Sequence, residues 1–142
     1  MNLRNPNTCR AVFASAIFVT ALSSFAAPTI SSGPTEKLLG EWRGRSLCAM
    51  ASRPACTDET VLYRINAAAD SGFDIEMNKI VAGETQFMVK LECRFEETRQ
   101  QLLCPVVAGQ WQFRWDGNML LGGLIDHGQV SIVRFATVRK SQ

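Results

Sequence analysis

His127 is the only histidine in the chain, and it sits in the turn-forming triplet Asp126-His127-Gly128. A Ser/His/Asp or Cys/His nucleophilic centre would have to assemble around that solvated turn tip, without the buried partner that orients a catalytic imidazole. The carboxylate pairs Asp58-Glu59 and Glu96-Glu97 fall at expected strand ends, where a solvated rim suits them better than paired acid and base chemistry. Gly122-Gly123 is followed by neither a helix start nor a lysine, so no phosphate-cradling loop is present. These patterns point to a binding protein rather than an enzyme, with no catalytic residue and no cofactor expected.

The cysteines carry a different chemistry. Cys9 precedes the first apolar run, and Cys48, Cys56, Cys93 and Cys104 lie beyond it. Four cysteines allow three disulfide connectivities. Spacing favours the local pairs: Cys48 and Cys56 bracket the polar, proline-containing AMASRPA, while Cys93 and Cys104 bracket a hairpin turn at Glu97-Thr98-Arg99-Gln100. Each closed loop would stabilise the fold by roughly 2–3 kcal/mol. A four-thiolate zinc site needs two tighter pairs, and no Cys-x-x-Cys occurs, so neither a metal centre nor a redox motif is expected.

Where the cysteines reside follows from the start of the chain. Arg4 and Arg10 precede the uncharged run AVFASAIFVTAL from Ala11 to Leu22, and Ser24-Phe25-Ala26 then offers small residues at the positions a signal peptidase reads. The apolar core falls short of the roughly 20 residues a membrane span needs. Residues 1–26 therefore read as a signal peptide, leaving 116 of 142 residues exported to a periplasmic or secreted, disulfide-permissive location with no stable membrane anchor. Loss of Arg4 and Arg10 leaves thirteen Lys/Arg against thirteen Asp/Glu. That balance lacks the basic footprint of a nucleic-acid binder. Residues 27–37, APTISSGPTEK, read as a flexible linker, and 38–142 as the folded domain.

The elements of that domain follow a period of two. Phe87, Val89, Leu91, Cys93 and Phe95 face one way while Met88, Lys90, Glu92 and Arg94 face the other. Phe73, Ile75 and Met77 alternate with acidic and amide residues, and Trp111, Phe113 and Trp115 with Gln110, Gln112 and Arg114. Turn signals at Asp70-Ser71-Gly72, Ala82-Gly83, Ala108-Gly109, Asp116-Gly117-Asn118 and Asp126-His127-Gly128 delimit about eight strands. These lie near 38–48, 59–67, 73–81, 86–95, 101–106, 110–116, 119–125 and 129–139. The fold class is all-β, an antiparallel up-and-down meander closing into a small barrel, since closure removes exposed edges. Its inward residues would include Trp42, Tyr63, Ile65, Phe73, Ile75, Met77, Phe87, Val89, Leu91, Trp111, Phe113 and Trp115. Among these, Tyr63, Phe73, Met77, Phe87, Val89, Trp111 and Phe113 are the candidate lining for a small apolar ligand.

Gly40-Glu41-Trp42 within LLGEWRG resembles the Gly-x-Trp that opens the first barrel strand of lipocalins and, more loosely, other calycins. The resemblance implies that Trp42 closes the narrow end by packing on an arginine of the last strand, with Arg134 the first candidate and Arg139 the second. It also implies a long first connection over the open mouth, here the Cys48–Cys56 loop with Met50, Arg53 and Pro54 on its rim. The chain is similar as well to small bacterial metalloprotease-inhibitor barrels, which keep a Gly-x-Trp-like strand followed by a cysteine. That likeness implies a protein partner, a secreted or periplasmic protease, engaged by an N-terminal arm.

Overall fold

A computed structural model describes residues 33–142 except 51, 53, 54 and 129. The expected signal peptide and the first residues of the linker, 27–32, lie outside the described residues, as do Arg53 and Pro54 of the loop rim. Eight strands follow one another: β1 (Gly40–Cys48), β2 (Glu59–Ala67), β3 (Phe73–Val81), β4 (Glu84–Glu96), β5 (Gln101–Val106), β6 (Gly109–Trp115), β7 (Met119–Asp126) and β8 (Ser131–Lys140). Each pairs antiparallel with its sequence neighbour and β8 returns to β1, closing the barrel in meander order. Alternation drives this arrangement: Val61, Tyr63 and Ile65 on β2 meet Phe73, Ile75 and Met77 on β3 and Trp111, Phe113 and Trp115 on β6 in one buried core. Ala82 and Gly83 both take positive φ, which gives the two-residue hairpin between β3 and β4 the right twist.

The two barrel ends differ. At the end where β1 starts, Trp42 is fully buried and its indole Nε1 donates to the Leu38 carbonyl at 2.8 Å. Leu38 closes a 3-10 turn, Pro34–Leu38, so the last part of the linker is not free chain: Glu36 N–H bonds Gly33 O, and Lys140 Nζ bonds Lys37 O at 2.6 Å. The apolar run Leu38-Leu39 explains the departure, because burying Leu38 beneath the barrel fixes the residues just before it. Phe95 bridges Phe73 and Trp115 edge-on at 6.4 and 6.2 Å, filling the same end.

Trp42 does not pack on Arg134. The β1–β8 register sets Trp42 opposite Lys140 and Cys48 opposite Arg134, so Arg134 lies at the far end of the same ladder. In an antiparallel pair the first residues of one strand can meet only the last residues of the other. Lys140 takes the closing role, its ammonium 5.8 Å from the Trp42 ring centroid. Arg139 pairs with Arg43.

Both expected disulfides form, Cys48–Cys56 and Cys93–Cys104. They place the chain in an oxidising compartment. Cys93 and Cys104 belong to the buried core, where their bond continues the β4–β5 seam. That seam is short, running only from Arg94↔Leu103 to Glu96↔Gln101, so among the described residues the mouth-side half of β4 has no strand neighbour on that edge. Pro105, which has no N–H to offer, sits where the ladder stops.

Ion pairs cross the outer wall of β1 to β4. Arg64 bridges Glu41 and Glu76, each at 3.0 Å, and Lys90 meets Asp74 at 2.6 Å. The Asn78 amide and then the Arg64 guanidinium hold the Glu76 carboxyl below its usual pKa.

Gly122 faces inward, and a Cβ there would lie 2.4 Å from the Phe113 ring, whereas one on Gly123 would meet only Ile132 at 3.9 Å. Gly122→Ala should therefore cost about 1–3 kcal/mol by overpacking, and Gly123→Ala no more than about 0.5 kcal/mol. Urea denaturation of the two variants checks this, and equal effects would contradict it.

Candidate functional site

Near the mouth the interior is not filled. A cavity of about 230 Å³ is lined by Ser46, Glu59, Tyr63, Met77, Met88, Val89, Trp111 and Arg134. Six strands supply these residues, β1, β2, β3, β4, β6 and β8, the last through Arg134. Trp111 stacks on Phe113 at 5.1 Å and Phe113 meets Tyr63 edge-on at 6.0 Å, so the aromatic wall is rigidly backed. Val89 is 41% exposed and stands where β4 lacks a neighbour, which leaves the cavity open along the β4–β5 seam.

A polar cluster forms one wall. Arg134 Nη1 donates to Ser46 Oγ at 2.9 Å and to Glu59 Oε2 at 3.0 Å, and its Nη2 donates to the Thr57 carbonyl at 2.8 Å. The Arg134 and Glu59 side chains are only 17% and 21% exposed. The Tyr63 hydroxyl is buried and no group meets hydrogen-bond geometry with it. Burial raises the Tyr63 pKa above the usual phenol range, opposed by the nearby Ser46 hydroxyl and the Arg134 charge. Tyr63 therefore stays a neutral donor.

Arg134 also lines a second hollow of about 290 Å³ with Met50, Ala55, Cys56, Leu124 and Val133. Its hold on Thr57 O ties the Cys48–Cys56 loop to β8, reinforced by Ala49 N–H to Val133 O at 3.1 Å and Cys48 N–H to Asp58 Oδ1 at 3.0 Å. Met50 thus lies on a loop fixed at its base. Two larger hollows, each about 560 Å³, sit around Phe73 near the closed end, one against Thr35 and Glu36 and one beside the Lys90–Asp74 ion pair. Among the described residues neither is lined by a fully buried polar side chain, whereas Ser46 and Tyr63 are fully buried at the mouth, which makes the mouth cavity the better candidate.

Of the residues proposed from sequence to line a ligand, Tyr63, Met77, Val89 and Trp111 meet around the cavity. Phe113 lies behind Trp111 as core, and Phe73 belongs to the other end of the barrel. Phe87 is outside, 63% exposed. A bulge between Met77 and Asn78 in the β3–β4 ladder inserts one extra β4 residue, Met88, so Phe87 pairs with Asn78 and turns to the outer face. Met88 takes its place beside the cavity. Ser46, Glu59 and Arg134 carried a usable signal, since 42-44-46, 59-61-63 and 134-136-138 each continue an inward-facing alternation. Nothing in the local sequence marks the bulge.

No protein-family model, curated protein or solved structure matches the chain.

Arg134→Met would strand the Glu59 carboxylate and release the loop contact to Thr57. It should cost about 2–3 kcal/mol, less than a fully buried pair because both groups keep some water. Glu59→Gln, which keeps an acceptor for Arg134, should cost about 1 kcal/mol. Chemical denaturation with both disulfides intact checks the order, and a larger loss in Glu59→Gln would contradict it.

Proposed function

We propose that the chain is an exported, non-enzymatic binding protein of lipocalin-like design, which holds a small apolar molecule in the mouth cavity. The observation that carries this reading is the hollow of about 230 Å³ left between Met77, Met88, Val89 and Trp111 near the barrel mouth. Empty apolar space forfeits contact energy, and a ligand of matching shape restores it. Two methionines suit such a wall because their unbranched thioethers adapt to a guest. The opening beside Val89 gives an entrance, and the disulfide-tied loop keeps Met50 and Arg134 in place above it. Cleavage of residues 1–26 as an export signal belongs to the same reading.

A protein partner is the second reading, and one observation favours it. Leu47, Leu121, Ile132 and Phe135 are 42–47% exposed on neighbouring strands β1, β7 and β8, where Leu47 and Phe135 pair directly. With the described 3-10 turn anchoring residues 34–38, a segment upstream of Gly33 could serve as an inhibitory arm.

Native mass spectrometry of the protein taken from its export compartment separates these readings. A small molecule released on unfolding is the expected result, retained in Phe87→Glu and lost in Met77→Glu if that variant folds. A bare mass would overturn the ligand reading. An inhibited protease that escapes when residues 27–32 are deleted would establish the other.

A further inference from the structure

The polar wall narrows the ligand's chemistry. Resting on the cavity reading above, we propose that the site takes a small uncharged phenol, its ring against Met77, Met88 and Trp111 and its hydroxyl against the Glu59–Arg134 pair. The pair is self-neutralised, with Arg134 Nη1 3.0 Å from Glu59 Oε2. An anionic head would have to face Glu59 and a cationic one Arg134, each having given up its water in a site where both side chains are mostly buried. Neither charge finds an unmatched partner.

A neutral hydroxyl does, because it donates once and accepts twice. Arg134 engages Oε2 of Glu59, and among the described residues Oε1 is left to accept. The Arg134 bonds all run from Nη1 and Nη2, which leaves Nε–H to donate. Tyr63 adds a second donor, its hydroxyl buried and neutral, beside the Ser46 hydroxyl but in strict hydrogen-bond geometry with none of the described residues. The opposite wall favours an aromatic body. Thioether sulfurs of Met77 and Met88 make favourable contacts with aromatic rings, and Trp111 presents an indole already held in place by Phe113. At about 230 Å³ the space lies below that of drug-sized ligands, which begin near roughly 300 Å³, and suits a single ring.

Isothermal titration of the exported protein, both disulfides intact at pH 7, with 4-ethylphenol, ethylbenzene and 4-ethylbenzoate tests the assignment. The expected result is one saturable site, with 4-ethylphenol bound at least tenfold tighter than either comparison and the Trp111 indole signal shifting in NMR. In Glu59→Gln the guanidinium is left unmatched, and 4-ethylbenzoate should gain at least tenfold relative to 4-ethylphenol. Ethylbenzene binding as tightly as the phenol would show that the hydroxyl is not read, and a tighter benzoate in the wild type would show that the pair is not neutral to the guest. Either result overturns the ligand class while leaving the cavity reading intact. Binding of none of the three probes would overturn both. The wild-type comparison stands whether or not the variant folds.

Discussion

The ladder between β1 and β8 is the constraint on which both ends of this molecule depend. It is the only pairing that joins the two ends of the described chain, and its register runs from Trp42↔Lys140 to Cys48↔Arg134. One register thus brings a cation to the Trp42 ring at the closed end and a guanidinium to the mouth at the other. A slip by one residue would turn Trp42 and Ser46 to the outer face together. Gly44, between them, permits the close approach: a Cβ there would lie 1.9 Å from the Thr137 carbonyl oxygen. Closure, plug and polar wall are therefore not independent features.

The cavity arises from a mismatch elsewhere. β4 has 13 residues and β5 has 6, so the mouth-side half of β4 cannot be paired on its second edge. The bulge at Met88 sharpens the β3–β4 twist at the same level and swaps an aromatic inward residue for a flexible thioether. Had the period held, Phe87 would have occupied much of the space that is now open. The Cys93–Cys104 bond stands at the boundary, holding the seam where its backbone ladder gives out.

Much of this was legible from the residues. Period-two runs and Gly-containing turns located eight strands to within a few residues, and loop spacing identified both disulfide pairs. The Gly-x-Trp resemblance implies a closing role for Trp42, and the indole is buried at that end, but antiparallel register sets it opposite Lys140 rather than Arg134. The bulge was illegible because it depends on how β3 and β4 twist against each other, and Phe87 and Met88 are both apolar enough to fit either face. The 3-10 turn at Pro34–Leu38 was hidden for a related reason. Polar, proline-containing sequence before Leu38 looks like free chain until the burial of Leu38 is known.

The remaining question is why a small barrel with so little interior should devote part of it to an arginine and a glutamate. Mostly buried ion pairs are poor stabilisers, since desolvation offsets much of the Coulombic gain, and well-packed apolar residues at 59 and 134 would serve the core as well or better. The loop contact accounts for part of Arg134, through Thr57 O, but it does not require Glu59 to face inward. An inward carboxylate beside an inward guanidinium, both continuing the core-facing alternation of their strands, does have a use if something polar but uncharged must be received there. It offers an acceptor and a donor at once while presenting no net charge to an otherwise apolar space. Tyr63, kept neutral by its burial and with its hydroxyl beside Ser46 but in strict hydrogen-bond geometry with none of the described residues, fits the same logic. On the proposed reading, the polar wall is a cost to the fold that recognition of a neutral polar guest would offset.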